Sequence, residues 1–277
     1  MSQSGVVKNI PNSITSLNLV SGCIAIALAF HGMVAYAGYF ILIAAVFDFF
    51  DGMVARALKV HSEIGKELDS LADVVSFGVA PTVIMLQLMA RSLMPQDVFL
   101  GFFETFTNND IPALTKMFIY RNVIGFGFWT YFFLAVPLVI AVFSAVRLAK
   151  FNLDTRQTSS FIGLPTPANA MFIISLGFIS ETSKNPMLLG FILHPMTLFA
   201  VSVVFSYLLV CELPMFALKF KSFSIKDNLL RYGFILYSLL LLAVLKLYAL
   251  PVIIISYIVI SLVVWVVGQV KADGIKY

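Results

Sequence analysis

The sequence predicts an all-α integral membrane protein with about eight transmembrane helices. Hydrophobic residues make up 60% of the 277-residue chain and charged residues 12%, whereas a soluble domain carries about 25% charged residues. Apolar runs of the length that a spanning helix needs, about 20 residues, recur along the whole chain. Because so much apolar surface cannot be hidden from water, a soluble domain is excluded and membrane lipids are the expected surroundings. No nucleic acid is expected as a partner.

Eight apolar runs define the predicted spans, and most of them follow one another closely. They cover residues 14–31, 34–56, 68–90, 130–149, 167–181, 189–213, 229–248 and 251–270. Residues 1–13 precede the first span, and Pro11-Asn12 near their end indicates a separate short helix in the membrane interface. The longest connection, residues 91–129, is rich in aromatic residues and is expected to lie on the outer interface.

The distribution of basic residues predicts the orientation of the chain in the membrane. With the N-terminus in the cytoplasm, 13 of the 18 Lys and Arg residues fall in cytoplasmic segments, which agrees with the positive-inside rule. Eight spans then leave both termini in the cytoplasm. The plasma (inner) membrane is the expected location, because the sequence carries no evident organelle-targeting signal.

Four aspartates, Asp48, Asp51, Asp69 and Asp73, lie inside the second and third predicted spans. An ionised carboxylate in a bilayer costs about 2.5–3.5 kcal/mol on insertion scales, and four together repel one another. The first two are three residues apart and the last two are four apart, so each pair shares one helix face. The polar stretch between the pairs predicts a turn at the cytoplasmic surface, which brings the four carboxylates together between two helices.

A carboxylate cluster of this kind is predicted to hold divalent metal. Oxygen ligands without a nearby His or Cys pattern favour Mg²⁺, Mn²⁺ or Ca²⁺ over zinc. Gly52 leaves room for a substrate at the backbone, and Arg56, one turn further, suits a phosphate group. Gly65 lets the hairpin close tightly. The alternatives are a network of salt bridges within the membrane and a cation transporter that uses the aspartates as its ion path.

The stretch from Asp48 to Asp73 has the spacing D-x2-D-G-x2-A-R-x8-G-x3-D-x3-D. This pattern resembles the signature of the CDP-alcohol phosphotransferase family, whose members are integral-membrane enzymes. The resemblance implies two divalent cations, Mg²⁺ or Mn²⁺, with Ca²⁺ as a non-productive occupant. It implies that Asp48, Asp51 and Asp69 hold them, with Asp73 as a further ligand. Asp73 is also the implied general base, which takes the proton of an acceptor hydroxyl that attacks the β-phosphorus of a CDP-linked lipid and expels CMP.

The resemblance also assigns residues to the CDP-lipid site. The motif residues expected to line it are Gly52, Ala55, Arg56 and Gly65. The first span opens with IPNSITSLNLVSG, in which Thr15 and Asn18 recur near helical spacing. This opening is similar to the family's helix that flanks the cytidine, so both residues are expected in the same site. The alternative for them is helix capping and hydrogen bonding between helices.

Residues 144–170, SAVRLAKFNLDTRQTSSFIGLPTPANA, give the best indication of the acceptor alcohol. They resemble the segment R-x-A-R-F-N followed by F-x-G-L-P-x-P-A that is typical of phosphatidylserine synthases, with Lys150 where an arginine is common. Arg147 and Lys150 suit the carboxylate of serine or the lipid phosphate, and Asn152 suits a hydrogen bond to the amino acid. The alternative is that the basic residues only fix the orientation of the chain in the membrane, and that the Gly and Pro residues only form a turn.

The resemblance therefore implies transfer of the phosphatidyl group from CDP-diacylglycerol to L-serine, which yields phosphatidylserine and CMP. Glycerol 3-phosphate is the next acceptor, because Arg147, Lys150 and Arg156 offer basic groups to its phosphate. The family resemblance also implies a homodimer. The active site is expected to face the cytoplasm, where the aspartate hairpin ends.

One membrane domain, residues 1–277, is expected. The interfacial segment 1–13 comes first, and residues 14–213 form a catalytic six-helix core, the number of helices that the family resemblance implies. Residues 214–277 are expected to add a basic loop and a two-helix hairpin.

Overall fold

Helices dominate the computed structural model, which describes residues 5–60, 62–93, 127–153, 161–216 and 228–273. The helices are α1 Gly5–Phe30, α2 Val34–Leu58, α3 Glu63–Asp73, α4 Ala80–Leu93, α5 Phe128–Ala135, α6 Leu138–Leu153, α7 Thr166–Thr182, α8 Pro186–Ile192, α9 Pro195–Val210, α10 Leu229–Leu245 and α11 Ala249–Asp273. A π-helical segment, Val74–Val79, joins α3 to α4, and a 3₁₀ turn, Lys246–Tyr248, joins α10 to α11. Two short strands, β1 Phe161–Ile162 and β2 Pro214–Met215, pair antiparallel.

The prediction of an all-α, multi-pass membrane protein is confirmed. Five helical stretches of the described chain are long and apolar enough to cross a bilayer: Asn9–Phe30, Val34–Leu58, Glu63–Leu93, Phe128–Leu153 and Leu229–Val267, the last of which contains the turn between α10 and α11. A sixth is added if α8 and α9, which are bent by 52° relative to each other, count as one span. The predicted total of eight spans and the positions of the termini stay predictions.

The bend between α8 and α9 interrupts the run 189–213, which the sequence predicts as one span. Pro195 begins α9 and has no N–H to continue a helix. His194 caps the new helix, because its Nδ1 accepts a hydrogen bond of 3.3 Å from the backbone N–H of Met196. A proline and a side-chain cap therefore start a second helix where apolarity alone indicates continuity.

Helix α1 runs without a break through Pro11, from Gly5 to Phe30. The sequence predicts a separate interfacial piece that ends near this proline. A proline inside a membrane helix is tolerated because neighbouring groups satisfy the freed carbonyl.

Helices α10 and α11 fold back on each other at the Lys246–Tyr248 turn. The hydroxyl oxygens of Tyr237 and Ser256, which are 19 residues apart in sequence, lie 3.1 Å apart. In one straight helix this separation would be about 28 Å. The Leu229–Val267 stretch therefore forms an antiparallel hairpin, and α11 packs against α7.

The elements that carry the aspartates are neighbours in the bundle. Helix α1 packs along α2, and it also contacts α3, the π-helical segment and α4. Helices α6 and α7 contact the π-helical segment from its other side. Most of the interfacial stretch predicted at 91–129, the basic loop and Arg156 lie outside the described residues.

Candidate active site

A tight turn between α2 and α3 brings the two halves of the aspartate motif together. Lys59 ends α2 in the left-handed conformation, with φ 54° and ψ 39°. The N–H of Val60 donates to the carbonyl of Ala55 at 3.0 Å. Ser62 caps α3, because its hydroxyl accepts a 3.2 Å hydrogen bond from the N–H of Gly65. The last turns of α2 thus face the first turns of α3, as the sequence predicts.

Three of the four aspartates form a cluster that fits a divalent cation. Asp48, Asp51 and Asp69 each offer one carboxylate oxygen, and these oxygens lie within 4.8 Å of one another. Asp69 Oδ1 is buried and has no hydrogen-bond partner within the described part of the chain. None of the three forms an ion pair with another described residue. A set of unpaired carboxylates suits a hard cation such as Mg²⁺ or Mn²⁺.

Asp73 lies beside this cluster, at the junction of α3 with the π-helical segment. Its carboxyl group is within hydrogen-bonding range of the carboxyl group of Asp48, although it does not belong to the group of three. Asn18 of α1 donates from Nδ2 to Asp73 Oδ1 at 3.3 Å. The four carboxylates therefore converge, and the role of Asp73 as a fourth metal ligand stays a prediction.

The polar residues of α1 contact the aspartates directly. Thr15 Oγ1 donates to Asp51 Oδ2 at 2.6 Å, and Asn18 binds Asp73 as described. Both side chains are buried. Ser76 of the π-helical segment donates to the backbone carbonyl of Asn18 at 3.0 Å. These contacts are hydrogen bonds between helices, the role that the sequence offers for Thr15 and Asn18 as the alternative to nucleotide binding. They orient the carboxylates of Asp51 and Asp73 from the side of α1.

An open cleft of about 220 Å³ lies between the start of α1 and the α2–α3 hairpin. Six predicted site residues line it, namely Thr15, Asp51, Gly52, Ala55, Gly65 and Asp69. A Cβ atom on Gly65 would lie 2.7 Å from Asn12 Oδ1, so a larger residue at this position would displace the Asn12 side chain from the wall of the cleft. Asn18 does not line the cleft, and the exposed Arg56 does not either.

Asn12 and Lys66 also line the cleft. Asn12 belongs to the polar opening of α1 that the sequence places beside the nucleotide. Lys66 was not assigned to the site, and its position directly after the motif glycine Gly65 is the signal that would have found it. Ser76 is a polar residue inside a predicted span, which is also a readable signal.

The three residues predicted for the acceptor separate in the structure. Arg147 is buried, interacts electrostatically with Asp73, and donates from Nη1 to Thr166 Oγ1 at 3.3 Å. Lys150 is exposed. Asn152 donates from Nδ2 to the hydroxyl of Ser70 at 2.8 Å, which ties α6 to α3. Of the three, Arg147 interacts electrostatically with Asp73, and Asn152 is tied through Ser70 to the part of α3 that carries Asp69.

Comparison with known proteins assigns the chain to a family. Residues 8–212 match the family model described as CDP-alcohol phosphatidyltransferase. The chain is 31% identical to a CDP-diacylglycerol–serine O-phosphatidyltransferase of Bacillus subtilis over 181 residues, 65% of this chain and 80% of that protein. A Helicobacter pylori protein of the same name is 29% identical over 66% of this chain and 65% of its own length.

An archaetidylserine synthase of Methanothermobacter thermautotrophicus is 32% identical to the chain. The match covers 63% of this chain and 61% of that protein. The last two helices, α10 and α11, lie outside the residues that the family model matches. The chain belongs to the CDP-alcohol phosphatidyltransferase family.

Proposed function

We propose that this protein transfers the phosphatidyl group of CDP-diacylglycerol to the hydroxyl group of L-serine, which yields phosphatidylserine and CMP. The observation that carries the proposal is the convergence of Asp48, Asp51 and Asp69 beside a cleft, with Asp73 and Arg147 next to them. Family membership and the names of the similar proteins support the same reaction and the same acceptor.

The three clustered carboxylates, Asp48, Asp51 and Asp69, are the residues that would hold Mg²⁺ or Mn²⁺, with Asp73 as a further ligand. When bound, such cations neutralise the diphosphate and stabilise the negative charge that develops on the departing phosphate. The aspartates themselves are held in place by α1, since Thr15 fixes Asp51 and Asn18 fixes Asp73. This orientation is set before substrate arrives, which reduces the cost of reorganisation.

The cleft between α1 and the hairpin is the proposed site of the CDP moiety. Gly52, Ala55 and Gly65 line the cleft with no side chain or only a methyl group, so that a nucleotide diphosphate can lie against the backbone. Arg56 is exposed and points its guanidinium towards the neighbourhood of Gly52, with Nη1 3.8 Å from where a Cβ of that glycine would be. It is suited to a phosphate at the rim.

Asp73 is the proposed general base. Its carboxylate takes the proton of the serine hydroxyl while the hydroxyl oxygen forms a bond to the β-phosphorus. The bond between this phosphorus and the oxygen that bridges to CMP breaks, and CMP leaves with the electron pair. Asn18 orients the base, because its Nδ2 donates to Asp73 Oδ1. Arg147, beside Asp73, is suited to the serine carboxylate.

The proposal includes the plasma (inner) membrane as location, an active site that faces the cytoplasm, and a homodimer. The positive-inside pattern supports the orientation. Residues 14–213 are proposed as the catalytic core. Glycerol 3-phosphate is the alternative acceptor, but its phosphate needs several convergent basic groups, and Lys150 is exposed. Of the basic residues predicted for the acceptor, Arg147 is the one that is both described and buried, and one guanidinium matches a carboxylate better than a phosphate dianion.

The test is CMP release by the purified protein in detergent with CDP-diacylglycerol, Mg²⁺ or Mn²⁺, and each acceptor in turn. Release that depends on L-serine and stops with a chelator supports the proposal. Release only with glycerol 3-phosphate or another alcohol would keep the site and overturn the acceptor. If no acceptor gives metal-dependent CMP release, the proposed enzymatic function is contradicted and the alternative of a cation transporter is favoured.

A further inference from the structure

Several buried polar side chains near Asp73 have no hydrogen-bond partner within the described part of the molecule. They include Ser144 through its hydroxyl, Asn169 through both its amide nitrogen and its amide oxygen, and Arg147 through Nε; Asn18, which donates to Asp73 from Nδ2, also has an unpaired Oδ1. Ser144 and Asn169 are 0% exposed, and Arg147 is 7% exposed. A buried polar group that lacks a partner costs about 1–3 kcal/mol of folding free energy. A polar ligand that pairs with the side-chain amide of Asn169 would recover this cost.

These side chains lie on two helices that face each other. The hydrogen bond from Arg147 Nη1 to Thr166 Oγ1 joins α6 to α7 near the end that carries the aspartates. Ser144 comes three residues before Arg147 on α6, and Asn169 comes three residues after Thr166 on α7. Residues three apart share a helix face. Arg147 lies near the end of α6 and Thr166 begins α7, so Ser144 and Asn169 each lie one turn further into their own helices.

The π-helical segment forms the third wall and connects this region to the base. A Cβ atom on Gly78 would lie 3.0 Å from the Cβ of Ser144, so the two helices touch there. Asp73 precedes Gly78 by five residues, which is the hydrogen-bond spacing of a π-helix. Asp73 therefore lies about one turn above Gly78, at the level of Arg147, with which it interacts electrostatically.

We propose that Ser144, Thr166 and Asn169 complete, together with Arg147, a binding site for the amino-acid part of the acceptor. Arg147 binds the carboxylate of serine. The side-chain carbonyl of Asn169 and the hydroxyl of Ser144 accept hydrogen bonds from its ammonium group, one turn deeper. The serine hydroxyl is then left on the side of Asp73. Thr166 keeps the guanidinium of Arg147 in place through the 3.3 Å hydrogen bond.

The inference rests on the proposed function and goes further, because it names the residues that distinguish an amino acid from other alcohols. A purely structural role for these polar groups predicts hydrogen bonds among them, as Asn18 and Ser76 form near Asp73. Ser144 and Asn169 form none within the described residues. Groups that are buried and unpaired in the free protein are suited to a polar, zwitterionic ligand.

The experiment compares three acceptors in the CMP-release assay with the full-length protein. L-serine has both charged groups, ethanolamine lacks the carboxylate, and 3-hydroxypropanoate lacks the ammonium. For Asn169→Ala we expect the KM for L-serine to rise about tenfold or more, because a hydrogen bond to a charged group is lost. The KM for CDP-diacylglycerol should stay unchanged. Activity with 3-hydroxypropanoate should fall much less, since this acceptor has no ammonium to lose.

Two further variants keep the test decisive. Ser144→Ala removes one buried hydroxyl and little volume, so it decides the question even if Asn169→Ala does not fold; we expect a smaller rise in the serine KM. Ser202→Ala is the control, because Ser202 is equally buried but its hydroxyl donates to Leu198 within its own helix at 2.8 Å. It should leave the serine KM unchanged.

The two proposals fail in different ways. If the wild-type protein releases CMP with serine but Asn169→Ala and Ser144→Ala keep its serine KM within about twofold, the acceptor site is wrong and the function stands. If the wild-type protein uses another alcohol and not serine, the proposed function and this site fall together. A rise in the KM for CDP-diacylglycerol equal to that for serine would also overturn the inference, since it indicates general damage.

Discussion

The two ends of helix α2 carry charge in opposite ways. At its first turn, Glu181 of α7 accepts hydrogen bonds of 3.0 Å from the backbone N–H groups of Val34 and Ala35. Arg91 of α4 lies 3.3 Å from the same carboxylate and donates to the carbonyl of Gly32 at 2.7 Å. At the other end, the aspartates of α2 and α3 converge without an ion pair to any described residue.

The comparison distinguishes a carboxylate that stabilises the fold, Glu181, from carboxylates that serve the proposed activity, those of the aspartate cluster. A carboxylate at a helix N-terminus is stabilised by the helix dipole and by free N–H groups, and Arg91 completes the compensation of Glu181 within the chain. The aspartate cluster has no ion pair of this kind with another described residue, and uncompensated carboxylates are costly in a membrane. We therefore expect substitutions at the Glu181 end to change stability, and substitutions at the aspartate end to change activity.

The largest effect is expected at the aspartate end, from Asp73→Asn. Asparagine keeps the shape of the side chain but cannot take the proton of the acceptor, so kcat should fall about 10²–10⁴-fold. Thermal stability should not fall, because the substitution removes one of several like charges. CMP release with CDP-diacylglycerol and serine measures the loss.

Binding of Mn²⁺ and of CDP-diacylglycerol to the same variant provides the control, and both should be partly retained. Turnover equal to that of the wild type would exclude Asp73 as the base. Loss of folding would erase the contrast between the two ends, since it would give the aspartate a structural role.

The intermediate effect is expected at the other end, from Glu181→Gln. The amide keeps one acceptor for the N–H groups of α2 but loses the charge that pairs with Arg91, so the free energy of unfolding should fall by about 1–3 kcal/mol. Thermal unfolding in detergent measures this loss. Glu212→Gln is the matched control, because Glu212 is exposed, and it should leave the melting temperature unchanged.

The KM values for both substrates should stay at their wild-type levels in Glu181→Gln. A change in catalysis without a change in stability would break the proposed division between the two ends. It would mean that the paired carboxylate, which lies about 20 Å along α2 from Asp48 by helical rise, communicates with the aspartates.

The same contrast explains how much of the molecule could be predicted from its sequence. Apolar runs and aspartate spacing report on local helix faces, and they predicted the membrane fold and the hairpin that joins Asp51 to Asp69. The stretch VVSFGV carries no signal for a π-helix, because that geometry depends on packing against α1 and α6. The partners of Thr15 and Asn18 also depend on tertiary packing. The sequence predicts both residues in the CDP-lipid site, with hydrogen bonds between helices as the alternative, and it could not name Asp51 and Asp73 as their partners.

Ser144 and Asn169 were not assigned a role for a different reason. Both lie in the segment 144–170 that the sequence singles out for the acceptor, but each is a single polar residue within an apolar stretch and carries no charge that suggests a ligand. A polar side chain inside a span is itself a signal. Which neighbour it meets follows only from the antiparallel packing of α6 and α7, which the hydrogen bond between Arg147 and Thr166 records.

The smallest effects are expected at two lysines with positive φ, one near each end of the bundle. Lys59 turns the aspartate hairpin with φ 54° and ψ 39°. Lys246 turns the C-terminal hairpin with φ 53° and ψ −132°, close to Glu181, since the hydroxyl oxygens of Thr182 and Tyr248 lie 2.9 Å apart. The first conformation is the left-handed helical one, whereas the second is essentially reserved for glycine.

Lys246→Gly should therefore raise the free energy of unfolding by about 1–2 kcal/mol, and Lys59→Gly by less than about 1 kcal/mol. The melting temperatures of the two variants in detergent give the order. Lys246→Ala and Lys59→Ala are the controls, because alanine removes the same side chain without relieving the backbone, and neither should stabilise the protein. An equal gain in the glycine and alanine variants would assign the effect to the lost charge rather than to the turn. A larger gain at Lys59 would show that the aspartate hairpin, and not the Glu181 end, is the more strained half of the bundle.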